Sequence, residues 1–250
     1  MYKFDCKTSA LFTDFYELTM AQGYWKNNMD CPAVFDMFFR RNPFKGGFAV
    51  FAGLETLIDA LTDFTFSESD IEYLKSVGIF EQGFLDYLKD FKFTGTLYAQ
   101  EEGSIVFPNE PLIRIHANLI EAQIIEGLVL NHINFQTLIA TKSTRVWLAS
   151  KKGSIMEFGL RRAQGPNGAM SASRAAYIGM AGGTSNTLAG KEFGIPVLGT
   201  MAHSWIMSFP TELEAFEAYA KIYPSKAIFL IDTYDTLNSG IINAIKVGSK

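Results

Sequence analysis

Seven consecutive residues, Gly199-Thr200-Met201-Ala202-His203-Ser204-Trp205, follow the apolar run Ile195-Pro196-Val197-Leu198. Such a run reads as a buried strand, and the exit loop of a strand is where a β/α scaffold places its reactive groups. Imidazole is the side chain best suited to gaining and losing a proton, or a phosphoryl group, near neutral pH. A hydrogen-bonded structural histidine is the plainer reading of His203. The company it keeps at other strand ends argues for chemistry.

Four strand ends can be read in turn. The first gives Glu157-Phe158-Gly159-Leu160-Arg161-Arg162, and the second leads into Gly182-Gly183-Thr184-Ser185-Asn186. The third delivers Thr200, His203 and Ser204, and the fourth Asp232-Thr233-Tyr234-Asp235-Thr236. Arginine forks suit a carboxylate or phosphate, and a Gly-Gly-Thr-Ser turn offers amides and hydroxyls to an anion. Phe158 adds an aromatic face, while Asp232 and Asp235 could hold a divalent metal or orient the histidine. Each feature has an ordinary alternative as surface charge, turn or helix cap. Converging on one barrel mouth, they describe an enzyme site for an anionic, partly aromatic substrate.

The elements that must position these residues fall into two regimes. Residues 1–150 mix helices and strands: a helix N-capped by Thr13, a strand over Val34–Arg40, and helical patterns near 50–61, 69–77 and 81–89. Three short strands follow, Thr94–Gln100, Ser104–Phe107 and Leu112–His116, then one long helix over about 119–149. From about 153 the pattern alternates. Strands are predicted at Ser154–Phe158, Met180–Gly183, Ile195–Thr200 and Ala227–Ile231, and helices near 169–179, 185–193, 211–222 and 238–246. Alternation with short connections means parallel strands with crossover helices. The expected fold class is therefore α/β: a mixed α+β N-terminal domain, 1–150, followed by an incomplete (β/α)8-type barrel, 151–250. Four units are half of such a barrel, so the chain reads as truncated or completed by another polypeptide.

Composition narrows the classes. With 48% hydrophobic and 19% charged residues, the 250-residue chain can build a large core. A net charge of −4 and no basic run argue against nucleic acid. Cys6 and Cys31 belong to no metal-ligand cluster, no secretion signal is apparent, and no apolar stretch spans a bilayer. A cytoplasmic protein is expected. His116 and His132 read as structural, and Trp25, Trp147 and Trp205 as packing, with Trp205 able to buttress the His203 loop.

The run Glu157-Phe158-Gly159-Leu160-Arg161-Arg162-Ala163-Gln164-Gly165-Pro166, then Gly199 to Ser204, then Ile231 to Thr236 resemble the nicotinate phosphoribosyltransferase family. Thr13-Asp14-Phe15-Tyr16-Glu17-Leu18-Thr19-Met20 and Phe35-Asp36-Met37-Phe38-Phe39-Arg40 resemble it too, so the likeness runs in order along essentially the whole chain. It implies joining of nicotinate to 5-phosphoribosyl-1-diphosphate, giving nicotinate mononucleotide and diphosphate for NAD salvage. ATP hydrolysis is coupled through a phosphorylated histidine, and His203 matches that position. Thr200 matches a nicotinate-binding residue, and Tyr16 the aromatic that lines the nicotinate site, from the neighbouring subunit in dimeric members. Phe158 would stack on the other ring face. Arg161 matches a residue at the base and phosphoribosyl site, and we assign it to the carboxylate. Ser185 and Ser204 join the expected substrate-binding set. The implied cofactors are ATP and Mg2+, with Asp232 as the metal-ligand candidate, and the implied assembly is a homodimer.

Family members run much longer, and their later strands carry a further arginine and a glycine-rich phosphate loop. The 250-residue chain alone is therefore expected to bind weakly and form no measurable nicotinate mononucleotide. Nicotinamide phosphoribosyltransferase is the nearest rival. An amide-reading site wants a carboxylate at the second strand exit, where Gly183-Thr184-Ser185-Asn186 offers none. Quinolinate phosphoribosyltransferase has no need of a phosphohistidine. A non-catalytic remnant, or the interaction half of a split enzyme, is the rival from another class.

Overall fold

The computed structural model describes residues 9–249, so Cys6 lies outside the described residues. The chain forms two compact units, the first ending at Ile195 and the second comprising Pro196–Lys250. The change of sequence rhythm near 150 therefore does not coincide with the break between units. The reason is a helix contact: residues after 150 return to pack on the long helix before it.

In the first unit, α1 (Phe15–Lys26) leads into β1 (Pro32–Met37). Asp14, not Thr13, is the N-cap of α1. The Glu17 carboxylate accepts from the Asp14 amide at 3.0 Å, and the Thr13 hydroxyl instead donates to the Ile124 carbonyl at 2.9 Å. After β2 (Ala49–Val50) come α2 (Leu54–Thr62), α3 (Glu68–Val77) and α4 (Gln82–Lys89). Their apolar faces carry Leu57, Leu61, Ile71, Leu74, Phe84, Leu85 and Leu88 into one core. Next are β3 (Thr96–Ala99), β4 (Ile105–Val106) and β5 (Ile113–Asn118). Strands β1, β5 and β3 make an antiparallel sheet in that order, with Val34 opposite His116 and Asp36 opposite Arg114. Strands β2 and β4 pair separately.

The expected helix over 119–149 is broken into α5 (Leu119–Ile124) and α6 (Glu126–Ala149). The break falls at Ile125, whose ψ of −5° departs from helical geometry. Helix α6 buries hydroxyls where an ordinary core helix would bury methyls. Thr141 accepts from the Val50 amide at 2.8 Å and Thr137 from the Ala52 amide at 3.2 Å, satisfying the edge of β2. Farther along α6, Ser143 and Thr144 donate to the Ala176 and Gly179 carbonyls, the end of α7 (Gly165–Ile178). A Cβ at Gly179 would strike the Ala140 carbonyl, so only glycine permits this approach.

Within α7, Arg174 is buried and bridges Glu55 and Glu102. Burial works to raise the Glu102 pKa. The Arg174 guanidinium and the Gly53 and Leu54 amides outweigh it and hold that carboxyl below its ordinary value. Strand β6 (Met156–Glu157) pairs in parallel with β7 (Gly183–Thr184) across α7, and α8 (Thr187–Phe193) follows.

The second unit holds α9 (His203–Met207), α10 (Glu212–Ile222) and α11 (Ile241–Gly248), preceded by a π-helical turn over Thr236–Gly240. Its core gathers Met201, Ile206, Ala215, Phe216 and Val247. The predicted strands Ile195–Thr200 and Ala227–Ile231 form no ladder among the described residues, apart from a single bridge at Val197. A parallel strand exists only through its neighbours' hydrogen bonds. Here Phe229, Leu230 and Ile231 pack as extended chain against the helical core. The structure is thus a mixed α/β fold.

Candidate active site

The two units each present a cluster of the candidate residues. In the first, β6 and β7 run side by side for only two residues, Met156 opposite Gly183 and Glu157 opposite Thr184. Side chains add what so short a ladder lacks. One Glu157 carboxylate oxygen accepts from the Gly159 amide. The other accepts from the Ser173 hydroxyl at 2.9 Å and the Thr184 hydroxyl at 2.6 Å. The Glu157 carbonyl accepts from the Ser185 amide at 3.0 Å. The Asn186 amide donates to the Thr184 hydroxyl at 3.0 Å, and the Asn186 side chain caps α8 by accepting from Ala189 at 3.2 Å.

This network carries three of the sequence candidates on its rim. Phe158 is 37% exposed just past β6. Arg161 is exposed in a single 3-10 turn, Leu160–Arg162. Ser185 stands at the exit of β7. None of the three is buried.

Tyr16, also in the first unit, is half-exposed near the start of α1. Its hydroxyl lies 3.4 Å from a carboxylate oxygen of Glu17 and 3.4 Å from one of Glu126. Burial first, and these carboxylates next, raise its phenol above the ordinary tyrosine value. Glu17 is fully buried, and desolvation pushes its carboxyl up to about 7.

In the second unit His203 is the first residue of α9 and not part of a loop. Its Nδ1 lies 3.1 Å from the Thr233 hydroxyl, and its Nε2 lies 4.0 Å from an Asp232 carboxylate oxygen. The ring remains half-exposed. Thr200 and Ser204 are exposed nearby in sequence, the Thr200 hydroxyl donating to the Met201 carbonyl at 2.9 Å. Trp205 anchors the helix from below: its indole N–H donates to the Ala215 carbonyl at 3.1 Å, and its ring packs on Phe209 and Tyr219. Asp235 is committed to the turn that follows. It accepts from the Asn238 side chain first, then from the Asn238 and Leu237 amides, and these bonds hold its carboxyl below the usual range. Asp232 is therefore the carboxylate left facing the histidine.

Sequence reasoning missed Glu157 and Thr233 as partners. Both lie inside quoted motifs, yet nothing in their spacing distinguishes a carboxylate that gathers donors from one that faces solvent. The two remaining histidines are accounted for locally. His132 is mostly buried with Nδ1 3.0 Å from the Leu128 carbonyl, and burial lowers its pKa. His116 meets the Tyr98 ring edge-on at 5.4 Å. Among the described residues no group of three or more His, Cys, Asp or Glu is gathered as a metal ion would need. No described helix is long and apolar enough to cross a membrane.

Comparison with known proteins meets these clusters directly. A family model described as the nicotinate phosphoribosyltransferase N-terminal domain matches residues 11–134, which include Tyr16. A second, the nicotinate phosphoribosyltransferase family, matches residues 154–239, which include both strand exits, His203 and Asp232. The nicotinate phosphoribosyltransferase of Bacillus subtilis is 46% identical over 250 residues, covering 100% of this chain and 51% of that protein. The nicotinate phosphoribosyltransferase pncB2 of Mycobacterium tuberculosis is 44% identical, covering 96% of this chain and 52% of that protein. Among solved structures, human nicotinic acid phosphoribosyltransferase superposes with a TM-score of 0.85 at 33% identity, over 94% of this chain and 57% of that one. The chain thus spans about half the length of the curated relatives it matches. Two consecutive family signatures, relatives alike along the whole of this chain and a shared fold agree: the chain belongs to the nicotinate phosphoribosyltransferase family.

Proposed function

We propose that the protein carrying this chain joins nicotinate to 5-phosphoribosyl-1-diphosphate. The pyridine nitrogen bonds to the ribosyl C1 as the C1–oxygen bond to diphosphate breaks, giving nicotinate mononucleotide and diphosphate. The observation that carries this reading is the pair of family matches in chain order, which together include Tyr16, Phe158, Arg161, Ser185, Thr200, His203, Ser204 and Asp232. In this reading Tyr16 and Phe158 flank the pyridine ring, Arg161 and Ser185 receive its carboxylate, and Thr200 and Ser204 hydrogen-bond the substrates. Tyr16 acts on a neighbouring subunit's site in a homodimer. The parallel β6–β7 pair with α7 between supports a (β/α)8-type barrel begun here.

The local chemistry favours nicotinate over nicotinamide. Glu157 is the carboxylate at the β6 and β7 exits, and it is already taken by three protein donors. It leaves little acceptor capacity for an amide NH2.

His203 is the phosphoryl acceptor from ATP, half-exposed as such a nucleophile must be. Mg2+ keeps several waters and is held through one or two carboxylates plus substrate phosphates. Asp232, exposed and uncommitted to backbone, fits that role, and the metal would neutralise charge on the diphosphate. The place of action is the cytoplasm. Incubation of the complete protein with γ-labelled ATP tests the assignment. Acid-labile label on the wild type and none on His203→Ala is expected, together with product from nicotinate and not from nicotinamide. Label retained by His203→Ala removes the histidine from this role.

A further inference from the structure

We infer that Glu157 is the positioning residue of the nicotinate pocket, its carboxylate locking the exits of β6 and β7 into one geometry. This deepens the proposed function and rests on it. A two-residue parallel ladder cannot by itself define where two loops emerge, since even an isolated two-stranded hairpin is marginal. The position of the exits must come from elsewhere, and one carboxylate supplies it.

The Glu157 carboxylate accepts the Gly159 amide, so it clamps the turn between Phe158 and Arg161. It also accepts Thr184, the residue before Ser185, and Ser173 on α7. Ser173 and Thr184 are 1% and 0% exposed, so both donors are delivered from fixed positions. Its own carbonyl takes the Ser185 amide. Each candidate base-binding residue of the two exits, Phe158, Arg161 and Ser185, therefore lies within two residues of a position that donates to this one group. Gly159 reinforces the assignment. Its φ of −82° needs no glycine, yet a Cβ there would lie 2.8 Å from a Glu157 carboxylate oxygen. A side chain at 159 would therefore displace the carboxylate, although the backbone there would accept one.

A carboxylate with three donors is hard to replace. Glutamine keeps the shape but presents an NH2 where one oxygen was, so the Gly159 amide or a hydroxyl loses its acceptor. The consequence is a looser exit, not a lost contact to substrate. Misplacement of positioning groups by a fraction of an ångström is felt in affinity for the part of the substrate they hold.

The test is steady-state kinetics of the complete protein, varying nicotinate and 5-phosphoribosyl-1-diphosphate separately. For Glu157→Gln the nicotinate KM is expected to rise about tenfold, while the KM for the phosphoribosyl donor and kcat stay within about threefold. Thr184→Val should reproduce the split, and Thr184→Ser, which keeps the hydroxyl, should restore the wild-type KM. Gly159→Ala crowds the same carboxylate, since its Cβ would lie 2.8 Å from one of the oxygens, and should give the same signature. A nicotinate KM unchanged in Glu157→Gln overturns the inference, as does a proportional rise in both KM values. If the wild type forms no nicotinate mononucleotide, it is the proposed function that fails. Hydrogen exchange then decides the positioning role, with protection at the Gly159 and Ser185 amides expected to fall about tenfold in Glu157→Gln. Unchanged protection overturns it.

Discussion

The exits of β6 and β7 and the start of α9 carry the two halves of the proposed chemistry, and they are built in opposite ways. At the exits, Glu157, Ser173, Thr184 and Asn186 bond to one another, three of the four are buried, and no donor is left over. At α9, His203 is half-exposed and makes one contact at hydrogen-bond distance and one at 4.0 Å. Donors fixed before a ligand arrives cost no reorganisation when it binds. A group that is to take and lose a phosphoryl must instead remain reachable. The contrast teaches that rigidity has been placed under the residues proposed to recognise the base and withheld from the histidine.

The largest expected effect comes from undermining the rigid cluster. Arg174 lies next to Ser173 on α7 and ties that helix to Glu102 and Glu55. Arg174→Leu leaves Glu102 partly buried without its cation, which costs about 3 kcal/mol. Urea denaturation should show that loss as a lower midpoint at unchanged slope. A midpoint within experimental scatter of wild type would mean that α7 is not held by this pair, and the contrast would lose its foundation.

Thr184→Val strikes the cluster itself. It removes a donor to Glu157 and an acceptor for the Asn186 amide, both away from solvent. Leaving such groups unpaired costs about 2 kcal/mol. Thermal unfolding should report the change, and Thr184→Ser should recover most of it.

Much of this architecture is legible in the sequence, for stated reasons. The helices over 54–62, 68–77, 82–89 and 212–222 follow from apolar spacing, and the short strands before α5 from their punctuation by Gly103 and Pro108. The family is legible because its motifs are long and ordered. What was not legible depends on partners distant in sequence. Thr13 and Asp14 are equally good caps, and only Glu17 and the Ile124 carbonyl decide between them. Ile125 is apolar like its neighbours, so no periodicity marks the break at it. The segments 195–200 and 227–231 are apolar enough for strands, but a ladder needs a neighbouring strand that composition cannot promise. Glu157 and Thr233 looked like ordinary motif residues until the fold showed what they touch.

A smaller effect concerns Glu17, buried in the first unit beside Tyr16. Desolvation first, with the Glu126 and Asp14 carboxylates adding to it, holds its carboxyl at about 7, against an ordinary value of 4.5. The folded state therefore binds this proton more tightly than the unfolded state. That contribution is complete below about pH 4.5 and is lost as pH rises through about 7. Between pH 6 and about 8 the loss is on the order of 1 to 2 kcal/mol. Glu17→Gln cannot ionise, so its stability should stay flatter between pH 5 and about 8, measured by urea midpoints across that range. A wild-type profile as flat as the variant's would place Glu17 among the ordinary carboxylates.

The smallest stability effect belongs to Thr233→Val, and it tests the permissive half of the contrast. Thr233 holds His203 Nδ1 at 3.1 Å from the surface of the second unit, where water can replace it. Substitutions at such places change stability by less than about 0.5 kcal/mol. The same hydroxyl is the partner at hydrogen-bond distance that orients the imidazole. Thr233→Val should thus leave the unfolding midpoint where it is and still slow labelling of His203 by γ-labelled ATP by several-fold. Thr184→Val is expected to behave the other way, losing stability while labelling proceeds. If both variants lose stability alike, the second unit is as tightly specified as the first, and the exposure of His203 reflects nothing about its use.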